Sequence, residues 1–111
     1  MKMEQTELDG GILKVTLTGS FDIAGAGDVD MPFSVIAGGR DKVIVDMTGV
    51  DFMASIGVRV LVKAAKPISN RGGKLVILNP NEAARKVLAS TGVDTLMPVV
   101  DDEAAALAAF G

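Results

Sequence analysis

Two short segments, Val43-Ile-Val45, which ends at Asp46, and Leu75-Val-Ile-Leu78, are apolar on consecutive rather than alternate residues. Runs this short and this rich in β-branched residues suit strands covered on both faces, as in the parallel sheets of α/β proteins. Each run is followed by a short loop and then by apolar residues at helical spacing. Strand, helix and strand in succession imply right-handed crossovers and a sheet layered with helices. At 111 residues the chain fits one domain, residues 1–111, large enough for a real core and too short to divide into two.

The rest of the chain extends that pattern. Residues 2–8 and 12–18 read as strands around Asp9-Gly10-Gly11, with Leu13, Val15 and Leu17 alternating with polar neighbours, and Gly19-Ser-Phe-Asp22 ends the hairpin. Glycines and Pro32 interrupt residues 23–38, so a helix is expected only between residues 28 and 37, with Asp30 as its N-cap and Pro32 in the first turn. A strand over residues 42–47 precedes a helix over residues 56–70 that Arg71-Gly-Gly73 terminates. After the strand at residues 74–78, Asn79-Pro-Asn-Glu82 starts a helix that runs to about Ser90, before Gly92. A last strand over residues 96–100 leads to Asp101-Asp-Glu103, acid in the first turn of an Ala-rich helix ending at Phe110. The expected architecture is a single mixed, mainly parallel α/β sheet with an N-terminal antiparallel hairpin and about four helices packed mostly on one side.

Composition removes several function classes. The chain has no Cys and no His, which excludes disulfides and thiolate chemistry and removes the commonest general base and zinc ligand. With no Trp or Tyr, aromatic stacking on bases is not a function to expect. A net charge of −3 and a pI near 4.8 offer no positive field to steer nucleic acid or an anionic membrane. Polar Gln5-Thr-Glu7 follows Met1-Lys-Met-Glu4 where a leader would be apolar, so a cytoplasmic location is expected. Mean hydropathy is +0.40, high enough to leave room for an apolar contact surface or a weak homodimer.

The residues that could carry function gather at the second helix. Ser55 stands where an N-cap oxygen would meet a free backbone N–H, a place where phosphate is also electrostatically favoured. Catalysis by that hydroxyl would need a neighbouring base the chain does not offer. Gly57 falls in the first turn, where Gly is less favourable than Ala by about 1 kcal/mol; it marks either close packing or room for another protein's backbone or a nucleotide phosphate. Asp22 and Asp51 lie at strand ends that a parallel topology brings towards Ser55, with Asp46 and Asp28 nearby. Such carboxylates commonly form turns, and their spacing establishes no resident metal. Arg59, Lys63, Lys66 and Asn70 form a polar stripe, a solvated helix face that would also give an acidic partner a directional contact. Gly25-Ala-Gly27 lacks both a GxGxxG pattern and a Gly-Lys-Ser/Thr ending, and reads as flexibility. Met31, Met47, Met53 and Met97 read as core filler rather than a binding surface, with exposure the alternative for Met53, beside Ser55.

Several of these stretches together resemble the STAS family, the anti-sigma-factor antagonists and their relatives. Leu17-Thr-Gly-Ser-Phe-Asp22 is similar to the family's second-strand signature, and Val43-Ile-Val-Asp46 through Val50-Asp-Phe-Met53 to its central strand and loop. Ser55-Ile-Gly57 resembles the phosphorylatable serine with its following glycine, and Gly72-Gly-Lys-Leu-Val-Ile-Leu78, Asn79-Pro80 and Thr91-Gly-Val93 fall where the family pattern expects them. The resemblance implies a STAS-like fold and a partner-switching regulator of transcription, with no enzymatic activity and no cofactor. Its partner would be an anti-sigma serine kinase of the histidine-kinase-like ATPase fold, bound when Ser55 is unmodified, released by phosphorylation at Ser55 and reset by a serine phosphatase. Asp22, Met53, Ala54, Ser55, Ile56, Gly57, Arg59 and Lys63 would form the contact surface. Two positions depart from the family: Ala54 replaces the usual aspartate, and Ile56 a residue that is commonly small or hydroxylated. Ala54 supports an alternative, a STAS module that is never phosphorylated and serves a transport system or senses a nucleotide or anion.

Overall fold

The computed structural model describes residues 1–110. Five strands form one mixed sheet in the order β1-β2-β3-β4-β5. β1 (Lys2–Leu8) and β2 (Ile12–Phe21) make the antiparallel hairpin, and β3 (Lys42–Met53), β4 (Lys74–Leu78) and β5 (Val99–Val100) follow in parallel. The crossovers carry α1 (Ile23–Gly39), α2 (Ser55–Asn70) and α3 (Glu82–Ser90), with a 3₁₀ turn at Val93–Thr95, and α4 (Glu103–Ala108) closes the described chain.

The two faces of the sheet bury different partners, as a period of two requires. Leu13, Val15 and Leu17 of β2, Val43, Val45 and Met47 of β3 and Leu75 and Ile77 of β4 pack against α1, α2 and α3 in one core. Ile12, Ile44, Val76 and Leu78 point the other way, where Ala106 of α4 covers them. The short α4 is also tied down electrostatically. The Lys14 ammonium donates to Glu103 Oε1 at 2.6 Å and lies 3.8 Å from Asp46 Oδ2. That hydrogen bond, partly offset by desolvation and helped by both carboxylate charges, raises the Lys14 pKa above its ordinary 10.5.

Several boundaries differ from the sequence reading. α1 begins at Ile23 with Asp22 as its N-cap, not at residue 28 with Asp30. The glycines and Pro32 lower its propensity, but Ala26, Val29, Phe33, Ile36 and Ala37 recur at helical spacing and are buried, and packing overrides propensity. Gly25-Ala-Gly27 is therefore helix, not a flexible loop, and Gly25 is a packing position: a Cβ there would clash with the Ser20 carbonyl oxygen. β2 runs on to Phe21, and β3 continues six residues beyond the expected end at Met47, to Met53. β5 is reduced to two residues because Pro98 has no N–H to give a ladder, although its carbonyl accepts from Ile77 N–H at 2.8 Å. Met31, read as core filler, is 76 % exposed on the outer side of α1.

The two glycines near the start of α1 make opposite predictions. Gly25→Ala forces its methyl onto the Ser20 carbonyl and lowers stability by about 2–3 kcal/mol. Nothing lies within 4 Å of a Cβ at Gly27, so Gly27→Ala raises stability by about 0.5–1 kcal/mol. Urea denaturation midpoints of the two variants, compared with the unsubstituted chain, check both signs.

Candidate functional site

The site is built where the ends of β2 and β3 meet the start of α2. β3 reaches it through two irregularities in its pairing with β2, between Thr16 and Thr18 and between Gly19 and Ser20, each placing an extra residue on β3. A bulge leaves ladder groups unpaired and bends the strand. The first is braced by Asp46, whose Oδ1 accepts from the Thr48 backbone N–H at 3.0 Å and from its hydroxyl at 2.6 Å. At the second, Ser20 Oγ donates to Asp51 Oδ1 at 3.0 Å, and the Asn81 side-chain amide donates to the Val50 and Asp51 carbonyls, each at 3.2 Å. Asn81 also caps α3, its Oδ1 accepting from Ala84 N–H at 2.8 Å. One side chain thus locks the bent end of β3 to the beginning of α3.

α2 is seated by Phe21. Its carbonyl accepts from Ala54 N–H at 3.0 Å, and its fully buried ring lies under the first turn of the helix. A Cβ on Gly57 would come within 2.8 Å of that ring, so the glycine is required by close packing. Of the two readings of Gly57, the structure supports the packing one. The residue is buried, as is Met53 at 3 % exposure, in line with its reading as core filler, so neither presents a side chain to the contact surface that the resemblance implied. The exposed apolar side chain beside Ser55 is instead Phe52, 51 % accessible because β3's pleat turns it outward while Met53 turns in.

Ser55 is not the N-cap. Ala54 occupies that position, with extended φ and ψ of −93° and 166°, and no side chain caps the helix. Because the chain remains extended through Ala54, held by the Phe21 carbonyl, the helix begins at Ser55 itself. The Ser55 side chain is exposed and its hydroxyl bonds to no described residue. Nor do the backbone N–H groups of Ser55 and Ile56 reach an acceptor among the described residues, whereas Gly57 N–H donates to the Ala54 carbonyl at 2.9 Å. A free hydroxyl and two free amides thus stand together at the positive end of a 16-residue helix.

The acids fall into structural and peripheral roles. Asp22 caps α1, Oδ1 accepting from Gly25 N–H at 2.8 Å, next to the Phe21 carbonyl that holds Ala54. Asp46 and Asp51 brace the bulges, and Asp28 Oδ2 lies 2.7 Å from the Met1 amine. The sequence missed Ser20, Phe21 and Asn81 as builders of the site. A glycine in a helix's first turn, together with an aromatic at the end of the strand that pairs with the one leading into that helix, was the available signal for Phe21.

Two grooves flank α2. One, of about 370 Å³ against α1, is lined by Ile23, Ala26, Ile56 and Val60, with Lys63 Nζ 3.4 Å from Asp30 Oδ1. The other, of about 620 Å³ against the 3₁₀ turn, runs from Ser55 past Val62 and Val93 beneath Arg59, Lys63 and Lys66. The polar stripe is exposed, as its spacing indicated.

A mixed sheet opened by an antiparallel hairpin and continued by parallel strands with helical crossovers defines a small α/β domain. The chain belongs to the STAS domain family, whose pattern matches residues 4–106. It is 29 % identical over 111 residues to BtrV of Bordetella bronchiseptica, named as an anti-sigma factor antagonist, covering 99 % of this chain and 95 % of that one. The fold superposes on the crystal structure of an anti-sigma factor antagonist from Thermotoga maritima with a TM-score of 0.88 at 22 % identity, covering 97 % of this chain and 93 % of the other. It also superposes on the Bacillus cell-fate determinant SpoIIAA in its phosphorylated form, with a TM-score of 0.75 at 20 % identity and coverage of 97 % and 99 %. No helix among the described residues is long and apolar enough to cross a membrane.

The capping geometry sets a test. Ala54→Asp supplies the missing acceptor at an N-cap and raises stability by about 1 kcal/mol, whereas Ser55→Ala, which removes a hydroxyl bonded to nothing, changes it by less than about 0.5 kcal/mol. Thermal unfolding midpoints of both variants read the difference. If Ser55→Ala were the more damaging of the two, Ser55 would be the cap.

Proposed function

We propose that the protein is a partner-switching regulator of transcription, an anti-sigma-factor antagonist acting in the cytoplasm and not an enzyme. Unmodified, it binds an anti-sigma factor that is also a serine kinase of the histidine-kinase-like ATPase fold. Phosphorylation at Ser55 releases it, and a serine phosphatase resets it. The observation that carries this reading is the Ser55 hydroxyl, exposed and unbonded beside two free amides at the head of α2. A hydroxyl with no structural duty can be modified without dismantling the fold. The added charge, about −1.5 to −2, lies where the helix dipole favours it and four residues from Arg59.

The fold therefore survives the modification, and the switch operates at the contact surface by like-charge repulsion and lost fit. Around Ser55 that surface comprises Ala54, Ile56, the outward Phe52, and the exposed Arg59 and Lys63, with Asp22 at its edge. The family relatives named as anti-sigma factor antagonists support the class of partner. The phosphorylated SpoIIAA shows that a related fold carries phosphate.

Ala54 favours a second reading. A helix start without a side-chain acceptor leaves its amides open to a free anion, as a STAS module that senses a ligand and is never phosphorylated would require. Incubation with Mg-ATP and a kinase of the histidine-kinase-like fold from the same genome separates the two. The switch predicts a single phosphate mass shift that Ser55→Ala abolishes, and an affinity for that kinase reduced about tenfold or more by Ser55→Asp. Equal affinity of Ser55→Asp and the unsubstituted chain overturns it.

A further inference from the structure

We propose that the groove between α2 and the Val93–Thr95 turn is the docking site for an acidic, amphipathic helical segment of the partner protein. The inference rests on the partner-binding reading above. Its starting observation is an imbalance of charge. Of the eleven cationic side chains, nine make an ion pair or hydrogen bond to another described residue; the two that make neither are Arg59 and Lys66. Both line this groove, together with Lys63 and with no carboxylate. In a chain of net charge −3, the cations left without internal partners are thus concentrated on one wall.

The shape specifies the occupant further. Val58 and Val62 of α2 and Val93 of the 3₁₀ turn give the groove an apolar lining, and its volume of about 620 Å³ accommodates several side chains. Arg59, Lys63 and Lys66 follow one another at four and three residues, so they rise about 10 Å along α2. A helix laid alongside with acids at i, i+4 and i+7 meets all three, and the apolar residues flanking those acids fill the groove. An anionic bilayer fits less well, because the wall is concave and the molecule as a whole is negative. Ser55 lines the same groove at its head. Phosphate there would pair with Arg59 and place negative charge where the acidic segment enters, so modification and docking exclude one another.

The experiment is an amide-resolved NMR titration of the full chain with a short synthetic helical peptide carrying Glu at i, i+4 and i+7 and Leu on the adjoining face. Shifts concentrated at residues 58–66, 91 and 93 are expected, with an affinity that falls several-fold between about 50 and 300 mM salt. The Arg59→Glu/Lys66→Glu variant, its thermal midpoint unchanged, should bind at least about tenfold more weakly. A peptide with Lys in place of Glu should not bind. Shifts centred elsewhere, or equal binding by the charge-reversed variant, overturn the inference. Stronger binding to phosphatidylglycerol vesicles than to the peptide overturns it in favour of a membrane surface. The Ser55 mass shift reads the switch itself without the peptide, so either reading can fail while the other stands.

Discussion

Everything at the site depends on how the end of β2 holds the beginning of α2. Phe21 contributes twice: its carbonyl fixes Ala54, and its ring occupies the space that a side chain at position 57 would need. The two contacts determine different quantities. The hydrogen bond sets where the chain stops being extended, and therefore which residue is first in the helix. The ring against Gly57 sets how closely the helix approaches the sheet. Gly57 lowers intrinsic helix propensity by about 1 kcal/mol relative to Ala, a local disadvantage offset by the burial of a whole aromatic side chain.

A second constraint acts from the other strand. β3 has to deliver Ala54 beside Phe21, yet it carries two more residues than β2 over the same stretch. Bulges absorb the excess; Asp46 and Asn81 take up backbone groups left unpaired there, and the Ser20–Asp51 hydrogen bond ties the two strands together side chain to side chain. Carboxylates clustered near a candidate serine invite a catalytic or metal-binding interpretation. Here Asp46 and Asp51 brace bulges, while Asp22 orients α1 from its N-cap. The acids are near Ser55 for the same reason that Ser55 is where it is: the backbone has to be bent and held.

These constraints explain which parts of the structure were legible in the sequence. The hairpin, the central strands and the Asn81 start of α3 followed from local chemistry: alternation, apolar runs and an Asn-Pro-Asn cap. α1 was misread because Gly25, Gly27 and Pro32 oppose a helix locally, while the burial of Val29, Phe33 and Ile36 that forms it is tertiary. β3 was cut short because its bulges break the period by which a strand is recognised. At the site, the position of Ser55 near a helix start was evident, but its place inside the first turn rather than at the cap was not. That difference is decided by a hydrogen bond to a residue thirty-three positions earlier, which no local window contains. The opposite exposures of Met53 and Phe52 have the same origin, since the final register of β3 is set by its bulges.

The uncapped start of α2 links these points to function. An N-cap side chain would satisfy the first amides and add stability, and Ala54 does neither. The site does not need that stability, because Phe21 and Gly57 already hold the helix in place through contacts that involve no Ser55 atom beyond its backbone. The hydroxyl is therefore separable from the scaffold: it can be free or modified while the buried ring, the braced bulges and the cationic stripe remain as they are. With the cap one residue earlier, the proposed modification of Ser55 would leave in place the Phe21 hydrogen bond and the Gly57 packing that seat α2.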